Sequence, residues 1–549
     1  MTTFLTTTCS AVSQRSLDKA VLKYVVHGLQ PLSLVEQEPF IEFMKDLLPN
    51  ARAKIMTRVT LGSRMDEAAK EMKTAVTEAM RGVEYIATTA DCWSVRRRSF
   101  IGVTAHWIDA DTLKRCSVAL ACKQLRGSHN FELLANALND IHSEFGIRGK
   151  IVRTTTDNGS NFVKAFQVFG EDNSAVEAVS DGDRSQPREA EEDEEESEEV
   201  VFVDVSGLLS EDDGLEFELP KHQRCACHLI NLIATVDAAK AMSNEPYKKM
   251  HRSTFGKCSA LWNKSCRSTL GAETVSDVCS LQLLSPNVTR WNSFFLAEER
   301  LLRIIKDKGE GAIRVICTEF KLPVFNPAEL AFLAEYNAVM SPVAQATNIL
   351  QAEENVQMGW LLPTSNLLTA KLDRVKLTVK YCRPLVDALQ AGLKTRFGHT
   401  TQDPELIAAA ILLPKFRTSW TKDDATIGMG VDYIREHLEA PPLQSDGGNP
   451  SSSDEEDFFS SLQSPHTDSS KELEGYLAFS SDRMESLKSF PSLCKLSLKL
   501  NTPLPASAAC ERLFSIAGLV FSPRRVRLSS RHFENQLLLR LNKKFLRVQ

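Results

Sequence analysis

The sequence predicts an α/β protein in which a mixed sheet is laid down early and a long all-helical stretch follows. Three observations carry this. Apolar residues alternate with period two in several short runs between residues 83 and 156. From residue 301 to about 439 the apolar spacing becomes helical. Two polar, acid-rich stretches, at 171–220 and 441–475, break the pattern where neither period persists.

Taken in order, residues 16–28 place Leu17, Ala20, Val21, Tyr24 and Val25 on one helical face, with Gly28 as a stop. A second helix is expected from Ser33, because Ser33-x-x-Glu36 has capping-box spacing and Phe40, Met44, Leu47 and Leu48 form a stripe before Pro49. Strands are expected at 83–90, ending directly at Asp91, and at 101–107, where Ile101, Val103, Ala105 and Trp107 alternate. A third is expected at 117–122 and a fourth at 150–156, ending directly at Asp157, with a helix at 131–145 between them. Three strands, a helix, a strand and a helix make a mixed α/β sheet. Near the carboxyl end, one helix is expected over 505–517, stopping at Gly518, and another from Ser530. The expected units are a helical region at 1–80, a core at 81–170, an acidic loop at 171–220 and a continuation of the core at 221–300. A helical stretch at 301–440, a linker at 441–475 and a terminal segment at 476–549 complete the chain.

The formal charge of −6 conceals an uneven distribution. Residues 171–218 hold 20 acids against Arg184 and Arg188. Without that stretch and residues 441–476, the remainder has 62 Lys and Arg against 43 Asp and Glu, a balance compatible with nucleic acid. No run reaches the roughly 18 apolar residues of a membrane span, so no membrane partner is expected. The 13 cysteines are scattered and odd in number, which fits reduced thiols inside a cell.

Asp91 and Asp157 stand at the carboxyl ends of expected strands, where α/β sheets collect functional groups. Converging carboxylates there can hold a hard divalent cation. Each could equally cap a following helix. His222, Cys225, Cys227 and His228 have zinc-ligand chemistry, but no second ligand pair follows at finger spacing. Arg524, Arg525 and Arg527 could contact DNA phosphates or form a solvated turn. The apolar faces of the last two helices, with Leu513, Phe514, Phe533, Leu537 and Leu541, must be covered either by the rest of the chain or by a partner. Val201 to Val205, apolar and flanked by acids, has the form of a peptide that adds an edge strand to a ubiquitin-like partner such as SUMO, or of a strand of the core sheet.

The segments DCWS at Asp91, TTDNGSNFVKAF at Asp157, HQRCACHLINLI at 222–233, TRWNSFF at 289–295 and SAACERLFSIAG at 507–518 occur in the order seen in hAT-superfamily DNA transposases. The chain resembles in particular the vertebrate BED-finger, transposase-derived branch, over residues 19–544. That resemblance implies an RNase H-like domain interrupted by a large all-helical insertion, with a C-terminal hAT dimerisation segment. It implies a catalytic, metal-binding triad of Asp91, Asp157 and Glu511 holding Mg²⁺ or Mn²⁺. It also implies a motif pair, Cys225 and His228, and a DNA-binding pair, Arg290 and Trp291, whose indole suits stacking on a displaced base. Residues 1–90 hold only Cys9 and His27, so the paired ligands of a BED zinc finger are not found there. The expected protein is nuclear, self-associating and DNA- or chromatin-binding, with a role in transcription. The alternatives are an active transposase and a dimerising scaffold.

Overall fold

The computed structural model describes residues 13–47, 54–95, 98–127, 130–170, 218–286, 291–439, 468–521 and 528–546. The acidic run, Val201 to Val205, Arg290, Arg524, Arg525, Arg527 and most of the expected linker lie outside the described residues.

The amino-terminal helix α1 (Gln14–His27) starts at Ser13, whose hydroxyl accepts from the Ser16 N–H, and ends at Gly28 as expected. The Ser33 capping box does not form. Residues Leu32–Glu36 make a 3₁₀ turn, and the Glu36 carboxylate accepts from the distant Arg58 N–H instead. Helix α2 (Glu38–Leu47) follows, then α3 (Arg58–Arg81), which buries Leu61, Met65, Met72, Val76 and Met80 on one side.

Five strands, β1 (Ile86–Val95), β2 (Arg98–Ile108), β3 (Arg115–Leu125), β4 (Ile151–Thr156) and β5 (His222–Arg224), form one sheet in the order β3-β2-β1-β4-β5. The β1–β2 and β2–β3 pairs are antiparallel, and β1–β4 and β4–β5 are parallel. This is the expected mixed sheet, with two differences. Strand β1 runs on through Asp91 to Val95 because β2 continues to pair with it, Asp91 opposite Gly102 and Val95 opposite Arg98. The short β5 was not foreseen. Its Gln223 is buried between flanking polar residues and carries no apolar alternation to read. The alternation in β2 did not mark an exposed face, since residues 100–108 are buried on both sides.

Helices α4 (Phe131–Glu144) and α5 (Ser160–Phe169) flank β4 in sequence. Beyond β5 the described chain is helical: α6 (Ala226–Leu232), α7 (Glu245–Arg267), α8 (Thr269–Cys279), α9 (Trp291–Lys308), α10 (Glu310–Glu319) and α11 (Pro327–Leu350). After these come α12 (Leu361–Lys376), α13 (Arg383–Phe397), α14 (Pro404–Ile411), α15 (Asp424–Glu439), α16 (Asp468–Ala478) and α17 (Pro491–Asn501). These helices build their own apolar core, from Cys225 to Ala506. The chain then returns to the sheet. Helix α18 (Ala508–Val520) packs on β1 and β2, and α19 (Ser530–Leu541), capped by Ser529, packs on β3 and α3. Helix α18 does not stop at Gly518, because Val520 and Phe521 are drawn into the sheet core. No described helix is long and apolar enough to cross a membrane.

This return settles what covers the two terminal apolar faces. Leu513, Phe514, Phe533 and Leu537 are buried in the sheet core, and Leu541 packs against it half-buried. As contact residues for a second copy they are corrected: the chain's own strands and amino-terminal helices occupy them.

Two polar clamps join the helical core to the sheet. Arg115 on β3 donates to the carbonyls of Asn501 (2.8 Å) and Thr502 (2.7 Å) at the end of α17. On β4, Arg153 meets Glu405 of α14 at 2.6 Å, and Lys221 meets the other Glu405 oxygen at 2.8 Å. Burial pushes the Glu405 carboxyl up, but the charges of Arg153 and Lys221 outweigh it and hold the pKa down to about 2, from an ordinary 4.5. A depressed carboxylate contributes stability above its unfolded pKa and loses it as pH falls through the folded one, so this term disappears between pH 4.5 and 2. Glu405→Gln is therefore expected to cost about 3 kcal/mol at neutral pH and to flatten acid destabilisation in that window. Urea titrations at several pH values check it, and equal stability of the two proteins at neutral pH would show the clamp to be inert.

Candidate active site

Strand β4 stops pairing with β1 at Ala90 opposite Thr156, so Asp91 and Asp157 follow directly on two adjacent parallel strands. Neither caps a helix. Asp91 continues in strand, its Oδ1 accepting from the Cys92 N–H at 2.8 Å. Asp157 accepts from the Gly159 N–H at 3.1 Å, and it is Gly159 that stands at the cap of α5. The alternative of two plain capping residues is thereby removed.

Glu511 arrives on the first turn of α18, and the neighbouring Cys510 seats that turn. The Cys510 thiol lies 3.3 Å from the Thr89 carbonyl and 3.4 Å from that of Gly102. Gly102 matters because it has no Cβ: one built there would stand 2.7 Å from Phe514 Cζ. The Phe514 ring in turn stacks on Trp93 with centroids 5.7 Å apart. Residues 508, 511, 512 and 515, at helical spacing, form one wall of an open cleft of about 910 Å³. Asp91, Cys92 and Trp93 form the second wall, and Asn348, Gln351 and Glu353 at the end of α11 the third. Asp157 is not on these walls. It acts on the cleft through Asp91, whose carboxyl is pushed up to about 8 by burial first and then by the Asp157 charge, with smaller contributions from Cys225 and Glu511. Burial also raises Asp157, against the Gly159 N–H and the nearby His228 ring.

The Cys-x-x-His segment forms a junction. Cys225 begins α6, donates its N–H to the Thr156 carbonyl at 2.8 Å, and accepts from the Ser507 N–H on its sulfur at 3.4 Å. The next N–H, of Ala226, bonds the Pro505 carbonyl at 2.8 Å. One turn therefore holds the end of β4 and the entry to α18 together. A hydrogen bond from Cys227, with help from Ser507, brings the Cys225 thiol down to about 7. His222 stacks flat on Phe166, its ring 2.9 Å from the Thr156 hydroxyl. Among the described residues no three His, Cys, Asp or Glu side chains close around a metal-sized space. Trp291 is half-buried at the start of α9, tilted against Phe295 and packed on the helical core, away from the cleft walls.

The sequence reading passed over Gly102, Cys510, Trp93 and Arg512. Trp93, Cys510 and Arg512 lie in the quoted motifs within two residues of expected triad members. Gly102 lies in none of them, and its contact with Cys510 joins segments some 400 residues apart.

Residues 89–182 match a family model described as the ZBED1 RNase-like domain. The chain is 29% identical over 222 residues to the "Putative AC transposase" of Zea mays, a match covering 40% of this chain and 23% of that protein. The maize "Putative AC9 transposase" matches at the same identity, over 40% of this chain and 22% of its own length. These matches support an hAT-family, transposase-derived protein. The hAT chain is also 27% identical over 166 residues to the "Putative transcriptional regulator tpeD" of Talaromyces stipitatus (strain ATCC 10500 / CBS 375.48 / QM 6759 / NRRL 1006), covering 29% of this chain and 19% of that one. The matched part thus spans less than a quarter of the length of each relative. The RNase-like match begins two residues before Asp91 and takes in Asp157, so it covers the strand ends that carry both aspartates.

Proposed function

We propose that this hAT chain binds DNA in the cleft between β1 and α18 and cuts and rejoins phosphodiesters there with a divalent metal. The observation that carries the reading is that Asp91 and Asp157 follow directly on adjacent parallel strands while Glu511 of α18 lines the same cleft as Asp91, whose carboxyl both other charges help to raise. The donor set fits Mg²⁺ or Mn²⁺, since both aspartates are desolvated and Asp91 is further raised by the Asp157 charge, which a hard dication would offset. Among the described residues no three such side chains close around a metal-sized space, so waters and substrate phosphate oxygens would have to complete the coordination. Asp91, Asp157 and Glu511 would hold it. When bound, such ions activate the attacking oxygen and stabilise the leaving one.

The rest follows from the chain's own groups. Gly159 and Cys92 N–H groups orient the two aspartates, and the Cys510 thiol and the Gly102 notch fix the height of Glu511 over the sheet. The helices from α6 to α17 read as the insertion within an RNase H-like fold, standing between β5 and α18. We place the protein in the nucleus. Its self-association would use the outer side of the C-terminal segment, where Leu519 is 66% exposed, since the inner side is filled.

The test is a strand-cleavage and joining assay on purified full chain with Mg²⁺ or Mn²⁺ and DNA carrying the flanking terminal repeats. Cleaved and joined products that disappear on chelation are expected. Protein that binds the DNA but yields no product with either ion would overturn the catalytic part. It would favour the second reading, a non-cutting regulator, for which the likeness to a protein named as a transcriptional regulator speaks.

A further inference from the structure

We propose that Arg512 is the phosphate-binding side chain of the cleft and that Glu353 serves as its counter-ion while DNA is absent. The inference rests on the reading of the cleft as a DNA site and names the group that receives the backbone there.

The described walls of the cleft carry three carboxylates, Asp91, Glu353 and Glu511, against one basic residue, Arg512. A polyanion entering such a cleft needs a positive group on the protein beyond any metal, and Arg512 fills that role on the same helical face as Glu511. Its guanidinium is held in place before DNA arrives. Nη1 donates to the Gln351 carbonyl at 3.0 Å, where the 24-residue α11 ends and its carbonyl dipoles favour a cation. Nε lies 3.6 Å from Glu353 Oε1. These contacts engage two of three nitrogens in a planar fork that matches two phosphate oxygens.

The two partners differ in what they can give up. The Gln351 carbonyl belongs to the helix end, whereas Glu353 is 69% exposed beside an Arg512 that is 39% exposed. An exposed carboxylate at that distance is a weak partner. Phosphate can displace it without moving the backbone, and the Gln351 bond keeps the guanidinium aimed into the cleft. Glu353 thus lowers the affinity of the empty cleft for anions, and Arg512 raises it.

The test is fluorescence anisotropy of a labelled DNA hairpin titrated with the full chain. It is run in Ca²⁺, a hard oxygen-seeking ion used in place of Mg²⁺, across a range of salt. Arg512→Ala is expected to weaken binding and to lower the slope of log affinity against log salt by about 1. Arg512→Lys keeps the charge without the fork and is expected to fall between. Glu353→Gln is expected to tighten binding about two- to fivefold, a gain that disappears when Arg512→Ala is added. A purely structural tether between α11 and α18 cannot produce that gain. Glu353→Gln that leaves affinity unchanged or weakens it, or a gain that persists without Arg512, overturns the proposal. Wild-type chain that binds no DNA removes it together with the reading it rests on.

Discussion

Asp157→Ala is expected to abolish strand cleavage while leaving the fold intact. A metal clamp supplies several kcal/mol of transition-state stabilisation, so losing a ligand at about 4 kcal/mol corresponds to a fall on the order of 10³-fold. The structural cost is small because Asp157 is not a helix cap and its side chain accepts one backbone hydrogen bond, from the Gly159 N–H. Its charge also raises Asp91, so removing it relieves that electrostatic repulsion in the metal-free protein. Thermal unfolding of the metal-free variant should therefore match or exceed that of wild type even as cleavage is lost. Such opposite movement of stability and activity is what a functional carboxylate produces and a structural one does not. Cleavage at the wild-type rate in Asp157→Ala would mean that the products come from elsewhere.

Gly102→Val is expected to damage activity more than stability. The added Cβ falls 2.7 Å from Phe514 Cζ and 3.3 Å from Leu513 Cδ2, where the Phe514 ring is already backed by Trp93. The ring must turn towards the cleft it lines or α18 must lift from the sheet, at an overpacking cost of about 1–3 kcal/mol. Lifting α18 also pulls Cys510 from the Gly102 and Thr89 carbonyls and carries Glu511 with it. A displacement of about 1 Å at a reacting centre can cost on the order of 10²-fold in rate. Denaturant titration and the cleavage rate, measured on the same preparation, separate the two effects. Adding Phe514→Leu should recover part of both by vacating the ring. Wild-type rate and stability in Gly102→Val would show that the close approach of α18 does not set the position of Glu511.

The strands and the last two helices were legible because their periodicity reports burial directly. In β4 and α4 the expected and observed spans agree within a residue or two. The capping box at Ser33 misled because the Glu36 carboxylate found a tertiary donor, Arg58, that no local pattern reveals. Strand β1 was cut short for a related reason: a polar Asp91 reads as an end, yet pairing with β2 carries the backbone past it.

The amino-acid sequence by itself determined which residues carry carboxylates, where the mixed sheet forms, and which motifs tie the chain to the hAT transposases. These are properties of local spacing and side-chain chemistry. Tertiary structure alone decided that Leu513, Phe514, Phe533 and Leu537 fill the chain's own core, since an amphipathic face does not name what will cover it. It alone decided that Glu511 and Asp91 line one cleft, because Arg115, Cys225 and Cys510 bind the returning chain to the sheet after a long helical excursion. It also placed Arg512 between the end of α11 and the cleft, a position fixed by packing between segments distant in sequence.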